Sequence, residues 1–320
     1  MIVPFLAGLR DFAVAPLTWT LIFLNMGFYF ITSDPRPAPT AKESFFEVRN
    51  LQRTGVYYRQ YLGMKDLPEP HELVLWGGKA MRDPGFVTAV PEFPFRGDAD
   101  EIKNWRAEVS KLRDQTGARA VTKFGLPRDP AVAVQKPLTW ITYQFMHATP
   151  IHLLSNMVFL LLFGIAIERL AGSLTVLLVS LLGGIFGAYF SMKLDAPSAL
   201  PMVGASAAVT ALIAFYLVYE PRKNVRYYFF FSPFQGFYGE IYLSKWWILP
   251  LCLLPDLVNF VTEFIPSPAQ LIGQTVATTA HVGGALFGAA VAIAHRRFIG
   301  EGEYDRSGPD LGPTENESLI

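Results

Sequence analysis

Few residues in this 320-residue chain combine reactive side chains with positions where they are costly to keep. There are five histidines, and His71 and His295 stand apart from the other three. His147 and His152 open the apolar run 150–167, and His281 lies near the start of the run 276–294. Asn156 follows His152 by one helical turn and so shares its face. Ser206 heads another run, 203–219, within Gly204-Ala205-Ser206-Ala207. A serine hydroxyl attacks poorly until a neighbouring base takes its proton, and histidine is the usual base. Ser206 in the first turn of a helix would also have free backbone N–H groups and the positive dipole end beside it. With the Asn156 amide and the His152 imidazole N–H, these donors suit a tetrahedral oxyanion. The chemistry this set proposes is serine acyl transfer.

Each residue also has a plainer reading. Ser206 among small residues is typical helix-packing glue in a bilayer. His281 alone is equally a buried polar contact or a transport residue. His152 and Asn156 could cap the helix they open. Asp256 is the one acid inside an apolar run; it reads either as a third member of a triad or, after Pro255, as the cap of a restarted helix. No metal or cofactor is expected. HATPIH spaces its histidines at i, i+5, HExxH is absent, and the single cysteine, Cys252, rules out a multi-cysteine site. Basic and acidic residues balance at 27 each, which gives no footprint for nucleic acid.

These residues need elements to hold them. The chain is 51% apolar and 17% charged, against roughly 25% charged for a soluble domain. Its apolar residues cluster into six runs of about membrane-spanning length: 12–31, 150–167, 174–192, 203–219, 246–261 and 276–294. The expected class is an all-α membrane protein of six transmembrane helices. The expected divisions are a cytoplasmic N-terminus (1–11), a first helix retained as a signal-anchor (12–31), an extracytoplasmic loop or subdomain (32–136), a core of spans two to six (137–299) and a disordered cytoplasmic tail (300–320). With the amino terminus inside, Arg10, Arg169, Arg222, Lys223, Arg226, Lys245, Arg296 and Arg297 all fall inside, and the short outer loops hold only Lys193. Both termini are therefore placed in the cytoplasm. Spans two, four and six then run in the same direction, which sets His152, Asn156, Ser206 and His281 at similar depth. Gly284 and Gly288 follow His281 at plus three and plus seven, and such spacing predicts close packing of span four on span six.

The segment 32–136 opens with a proline-rich stretch and carries a candidate amphipathic helix over 98–116, with Ile102, Trp105, Val109 and Leu112 on one face and Asp98 or Asp100 as its cap. A second helix is expected over 43–62. Eleven aromatics over 224–247 read as a run of turns at the inner headgroup level.

At this point the chain resembles the rhomboid family of intramembrane serine proteases. The likeness rests on HATPIHLLSNM (His147, His152, Asn156), Glu168-Arg169, the serine motif GASA and AHVGGALFG around His281, in that order; Asn25 in the first span also matches. The resemblance implies a six-helix rhomboid-like bundle with a water-accessible cavity open to the outside. It makes Ser206 the nucleophile and His281 the base, and gives the oxyanion hole to His152, Asn156 and the Ser206 backbone. Glu168, Arg169 and His147 become structural. Substrates would be single-span membrane proteins in the lipid bilayer. With no transit sequence before the first span, the expected membrane is a bacterial cytoplasmic one. Two positions depart from the family: Ala207 stands where it favours glycine, and Thr210 where an aromatic often stacks on the histidine. Orientation of the base then rests on packing or on a hydrogen bond from Thr210. The competing readings are an inactive rhomboid-like protein that binds membrane clients, and a histidine-relay transporter, against which no inverted repeat is evident.

Overall fold

The computed structural model describes residues 2–6, 14–33, 48–66, 68–81, 83–117, 120–195, 201–220, 224–230, 238–250 and 278–298. The proline-rich stretch, most of the fifth apolar run with Cys252 and Asp256, and the tail after residue 299 lie outside them. In chain order the main elements are strand β1 (Ile2–Phe5) and helices α1 (Pro16–Thr32), α2 (Val48–Tyr61), α3 (Pro70–Ala80), α4 (Pro84–Ala89), α5 (Ala99–Gly117), α6 (Ala120–Phe124), α7 (Pro130–Ala133) and α8 (Thr139–Thr142). Then come α9 (Pro150–Ala171), α10 (Ser173–Leu194), α11 (Ser206–Tyr219), strands β2 (Asn224–Phe230) and β3 (Tyr238–Ser244), and α12 (Thr278–Phe298). Among the described residues two helices, α9 and α10, are long and apolar enough to cross a bilayer; α1 and α11 are shorter apolar helices.

α11 is the axis of the bundle. Ala207, Leu212, Phe215, Tyr216 and Leu217 are all buried, and only one stripe, Ser206, Thr210, Ala214 and Val218, is partly exposed. Its neighbours expose apolar stripes outward. On α10 these are Leu174, Leu178, Leu182 and Phe186, four residues apart, and on α12 Val282, Leu286 and Ile293. Contiguous outward apolar surface of this kind suits lipid rather than water.

Helix ends are satisfied by specific partners. α9 begins at Thr149-Pro150: the threonine Oγ1 accepts from His152 N at 3.1 Å, and proline at the first helical position gives up no needed donor. Capping of this helix therefore falls to Thr149 and not to His152 or Asn156. The first turn of α1 is capped from another helix. Glu168 Oε1 accepts from Leu17 N (2.9 Å), and Oε2 accepts from Thr18 N (2.8 Å) and Thr18 Oγ1 (2.6 Å). Ser173 Oγ adds a fourth bond at 2.7 Å. A carboxylate at a helix amino terminus complements its dipole.

The aromatic segment corrects an expectation. It is not a run of turns: β2 pairs antiparallel with both β1 and β3 in a three-stranded sheet, with Val3 opposite Tyr228 and Tyr227 opposite Ile241. Aromatic and β-branched residues fit a pleated, half-buried surface. Val225 and Tyr227 turn inward onto the bundle core while Tyr228 is exposed, the alternation of a strand. The all-α reading is corrected to a mostly helical fold with one small sheet.

Residues 48–117 have a core of their own. Gly55 lies against Leu73 and Gly77 against Leu51, which lets α2 and α3 meet backbone to backbone. Trp105, 1% exposed, packs on Tyr57 and Phe95 and donates from Nε1 to Thr54 Oγ1 at 2.9 Å. Its helix, α5, is capped by Asp98, whose Oδ1 accepts from Glu101 N at 2.8 Å. Ile102 and Val109 are buried on the same face, and the Leu112 side chain lies outside the described part. Trp105→Ala is expected to destabilise this unit by about 3–5 kcal/mol. Limited proteolysis of the full chain should then cut first within 48–117; an unchanged cleavage pattern would show that the unit does not depend on this core.

Candidate active site

Two helix amino termini converge here. α11 starts at Ser206 itself, three residues later than the apolar run suggested, because Gly204 takes φ +119°, a conformation that L side chains rarely adopt. Its N–H donates to Tyr143 O at 2.9 Å. At 14 residues and 1.5 Å per residue α11 is about 21 Å long, shorter than a hydrocarbon core of roughly 30 Å. His281 lies in the first turn of α12 and is 8% exposed. Ser206 Oγ and His281 Nε2 stand 2.7 Å apart. At that distance the ring nitrogen can accept the hydroxyl proton when the imidazole carries its own proton on Nδ1.

Small residues bring the helices to this distance. Gly284 packs on the Ala207 carbonyl and Gly288 on the Ala211 carbonyl, so any side chain at either would strike α11 backbone. From the other side Gly183 meets Ala211, and Gly187 meets Ala207 and Ala280. His281, Gly284, Gly288 and Ala292 are all buried, at intervals of three and four, and form one face of α12.

His152 sits on the first turn of α9 beside the serine loop. A β-carbon built on Gly204 would fall 2.7 Å from His152 Cε1 and 2.9 Å from Nε2. Asn156 is buried one turn further on, and its Nδ2 donates to His152 O at 2.9 Å. Its amide is thus bonded within α9 and not to the serine. His147 is buried with its ring edge-on to that of His152, centroids 5.2 Å apart.

Both departures from the family pattern have structural accounts. Ala207 is 2% exposed and its methyl is turned toward Gly187 on α10, where glycine leaves room for it. Thr210 Oγ1 lies 3.2 Å from the backbone carbonyl of His281 and 3.0 Å from that of Ala207. It ties α11 to the backbone of α12 and does not bond the imidazole.

A family model, the rhomboid domain, matches residues 135–298, half of the chain. The chain belongs to the rhomboid family. Comparison with curated proteins gives no match. Rhomboid proteins are embedded in membranes and are generally serine proteases that act on membrane proteins within the bilayer. The rhomboid domain takes in α8 to α12 with the sheet pair β2 and β3, and leaves α1 to α7 outside it.

Three contributors were not singled out from the sequence. Gly204 was seen only as a small neighbour of the serine, since a positive φ has no sequence signature beyond glycine itself. Tyr143 is fully buried, and its hydroxyl donates to Gly184 O at 2.7 Å while its carbonyl holds Gly204. Thr149 was legible as a Thr-Pro helix start. Gly204→Ala should cost about 1–3 kcal/mol from backbone strain, before any clash with His152. Gly27 in α1 has open space around it. Gly27→Ala should therefore be neutral or stabilising by up to about 1 kcal/mol. Thermal unfolding in detergent compares the two, and equal effects would contradict the described loop.

Proposed function

We propose that this rhomboid protein is an intramembrane serine endopeptidase with Ser206 as nucleophile and His281 as general base. The observation that carries the reading is the 2.7 Å contact between Ser206 Oγ and His281 Nε2, side chains 75 residues apart in sequence. As Ser206 Oγ attacks a peptide carbonyl, its proton passes to His281 Nε2. The negative charge gathers on the former carbonyl oxygen, beside the free N–H groups that open α11. His152, next to Gly204, supplies an imidazole N–H. Asn156 has a second amide hydrogen beyond the one given to His152. Collapse expels the amine, which takes the proton from His281 and leaves an acyl-serine. Water, activated by the same histidine, then releases the acid.

Substrates are single-span membrane proteins whose helix unwinds near small or helix-breaking residues, since a peptide bond inside a regular helix is shielded by its own hydrogen bonds. An α11 shorter than the hydrocarbon core supports a serine that lies below the outer membrane surface. Six spans, with both termini in the cytoplasm of a bacterium and residues 32–136 outside, agree with the distribution of basic residues in the short loops. The divisions 1–11, 12–31, 32–136, 137–299 and 300–320 belong to the same proposal.

A fluorophosphonate probe tests the reading without knowledge of the substrate. The purified chain should label, Ser206→Ala should not, and His281→Ala should label about 100-fold more slowly or less. Asn156→Ala should lower cleavage of a single-span reporter by about 10²–10³-fold while leaving its thermal stability near wild type. An unlabelled wild type, beside a labelled active rhomboid, would favour an inactive fold that captures membrane clients, and pull-down of the reporter would then separate the two.

A further inference from the structure

We infer that residues 125–128 and Asp195 form a clamp that positions both members of the Ser206–His281 pair, with Asp195 and Thr279 as positioning residues; the inference rests on the serine-protease reading above. Asp195 follows α10 directly, and its Oδ2 gathers three donors. Arg128 Nη2 lies at 3.0 Å, Ser191 Oγ at 2.5 Å and Thr279 Oγ1 at 2.5 Å. Thr279 stands two residues before His281 in the first turn of α12. The carboxylate therefore fixes the turn that carries the base. Hydrogen bonds to an ionised acceptor are about twice as strong as neutral ones. The Arg128 and Asp195 side chains are 13% and 23% exposed, so salt screens the pair less than it would a surface pair.

The same stretch also holds the nucleophile's side. Leu126 and Met202 exchange backbone hydrogen bonds in both directions, at 3.0 and 2.8 Å, in an isolated antiparallel bridge. Gly125 fits against Pro201 and Val203, each 3.0 Å from where its β-carbon would lie. Met202 precedes Ser206 by four residues. Residues 125–128 thus reach, within a few residues, the approach to the serine and, through Asp195, the approach to the histidine. The glycine seams set how far apart α11 and α12 lie. Thr210 bonds the His281 carbonyl on that seam, and the clamp adds a second anchor at Thr279 and one on the approach to Ser206. A displacement of about 1 Å in such a pair is enough to cost on the order of 100-fold in rate. The stretch follows α6, so the chain leaving the 48–117 unit passes straight into the clamp.

The test measures kinact and KI for fluorophosphonate labelling of the full chain in detergent. The variants are Thr279→Val, Thr279→Ser, Asp195→Asn and Arg128→Gln. The clamp predicts that Thr279→Val and Asp195→Asn lower kinact about tenfold with KI unchanged, while Thr279→Ser, which keeps the hydroxyl, restores the wild-type rate. Arg128→Gln should fall between. If Asp195→Asn does not fold, the Thr279 pair still decides. Wild-type kinact in Thr279→Val overturns the clamp, as does equal loss in Thr279→Val and Thr279→Ser, or a change confined to KI. Failure of the wild type itself to label overturns the serine reading, and the clamp with it.

Discussion

Backbone contact between α10, α11 and α12 is the constraint from which the rest of the bundle follows. Between membrane helices there is little hydrophobic drive, because lipid is as apolar as leucine; attraction comes from dispersion over closely fitted surfaces. Gly183, Gly187, Gly284 and Gly288 supply that fit against Ala207, Ala211 and Ala280. Only at that separation do two short side chains from different helices reach 2.7 Å. One larger residue at Gly284 would push α12 away from the Ala207 carbonyl and carry His281 with it. Thr210 secures the same seam, by bonding the backbone on either side of it.

The helix ends show how backbone polarity is handled where solvent is scarce. α11 presents its amino terminus at Ser206, beside His281, and has cations at its other end. Lys245 Nζ donates to Glu220 O, and Arg296 Nη1 to Val218 O at 3.1 Å. These bonds satisfy carbonyls that the helix leaves open and oppose its negative pole. Glu168 does the converse for α1. The sheet closes the same end of the core as Lys245, with Val225 and Tyr227 buried against the helices. One end of the axis helix is thereby fixed, and its free donors remain at Ser206.

The 48–117 unit stands apart in kind. Its core is aromatic, built on Tyr57, Phe86, Phe95 and Trp105, beside a glycine seam of its own at Gly55 and Gly77. It lies outside the rhomboid domain match. Its connection onward runs through Gly125 and Arg128 toward the matched domain, which begins at residue 135.

Much of this was legible in residue types and spacing. Apolar runs located the helices α1, α9, α10, α11 and α12, the interval of His281, Gly284 and Gly288 named the close face of α12, and the order of four motifs gave the family. Periodicity over 98–116 found α5 with Asp98 or Asp100 as its cap, and the structure uses Asp98. Other features depended on contacts that no local pattern encodes. The aromatic run became two paired strands, and Ile2–Phe5, more than 200 residues away, completes their sheet, a partner that leaves no mark on either segment alone. The start of α11 at Ser206 goes with the positive φ of Gly204, whose N–H is held by the Tyr143 carbonyl and beside which His152 leaves no room for a β-carbon. Asp195 carries no motif or periodic signal in the sequence. Its meaning came from the fold, which brings Arg128, Ser191 and Thr279 to one oxygen atom. Sequence spacing fixes which residues share a face of one element; only packing between elements decides which faces meet, and at what distance.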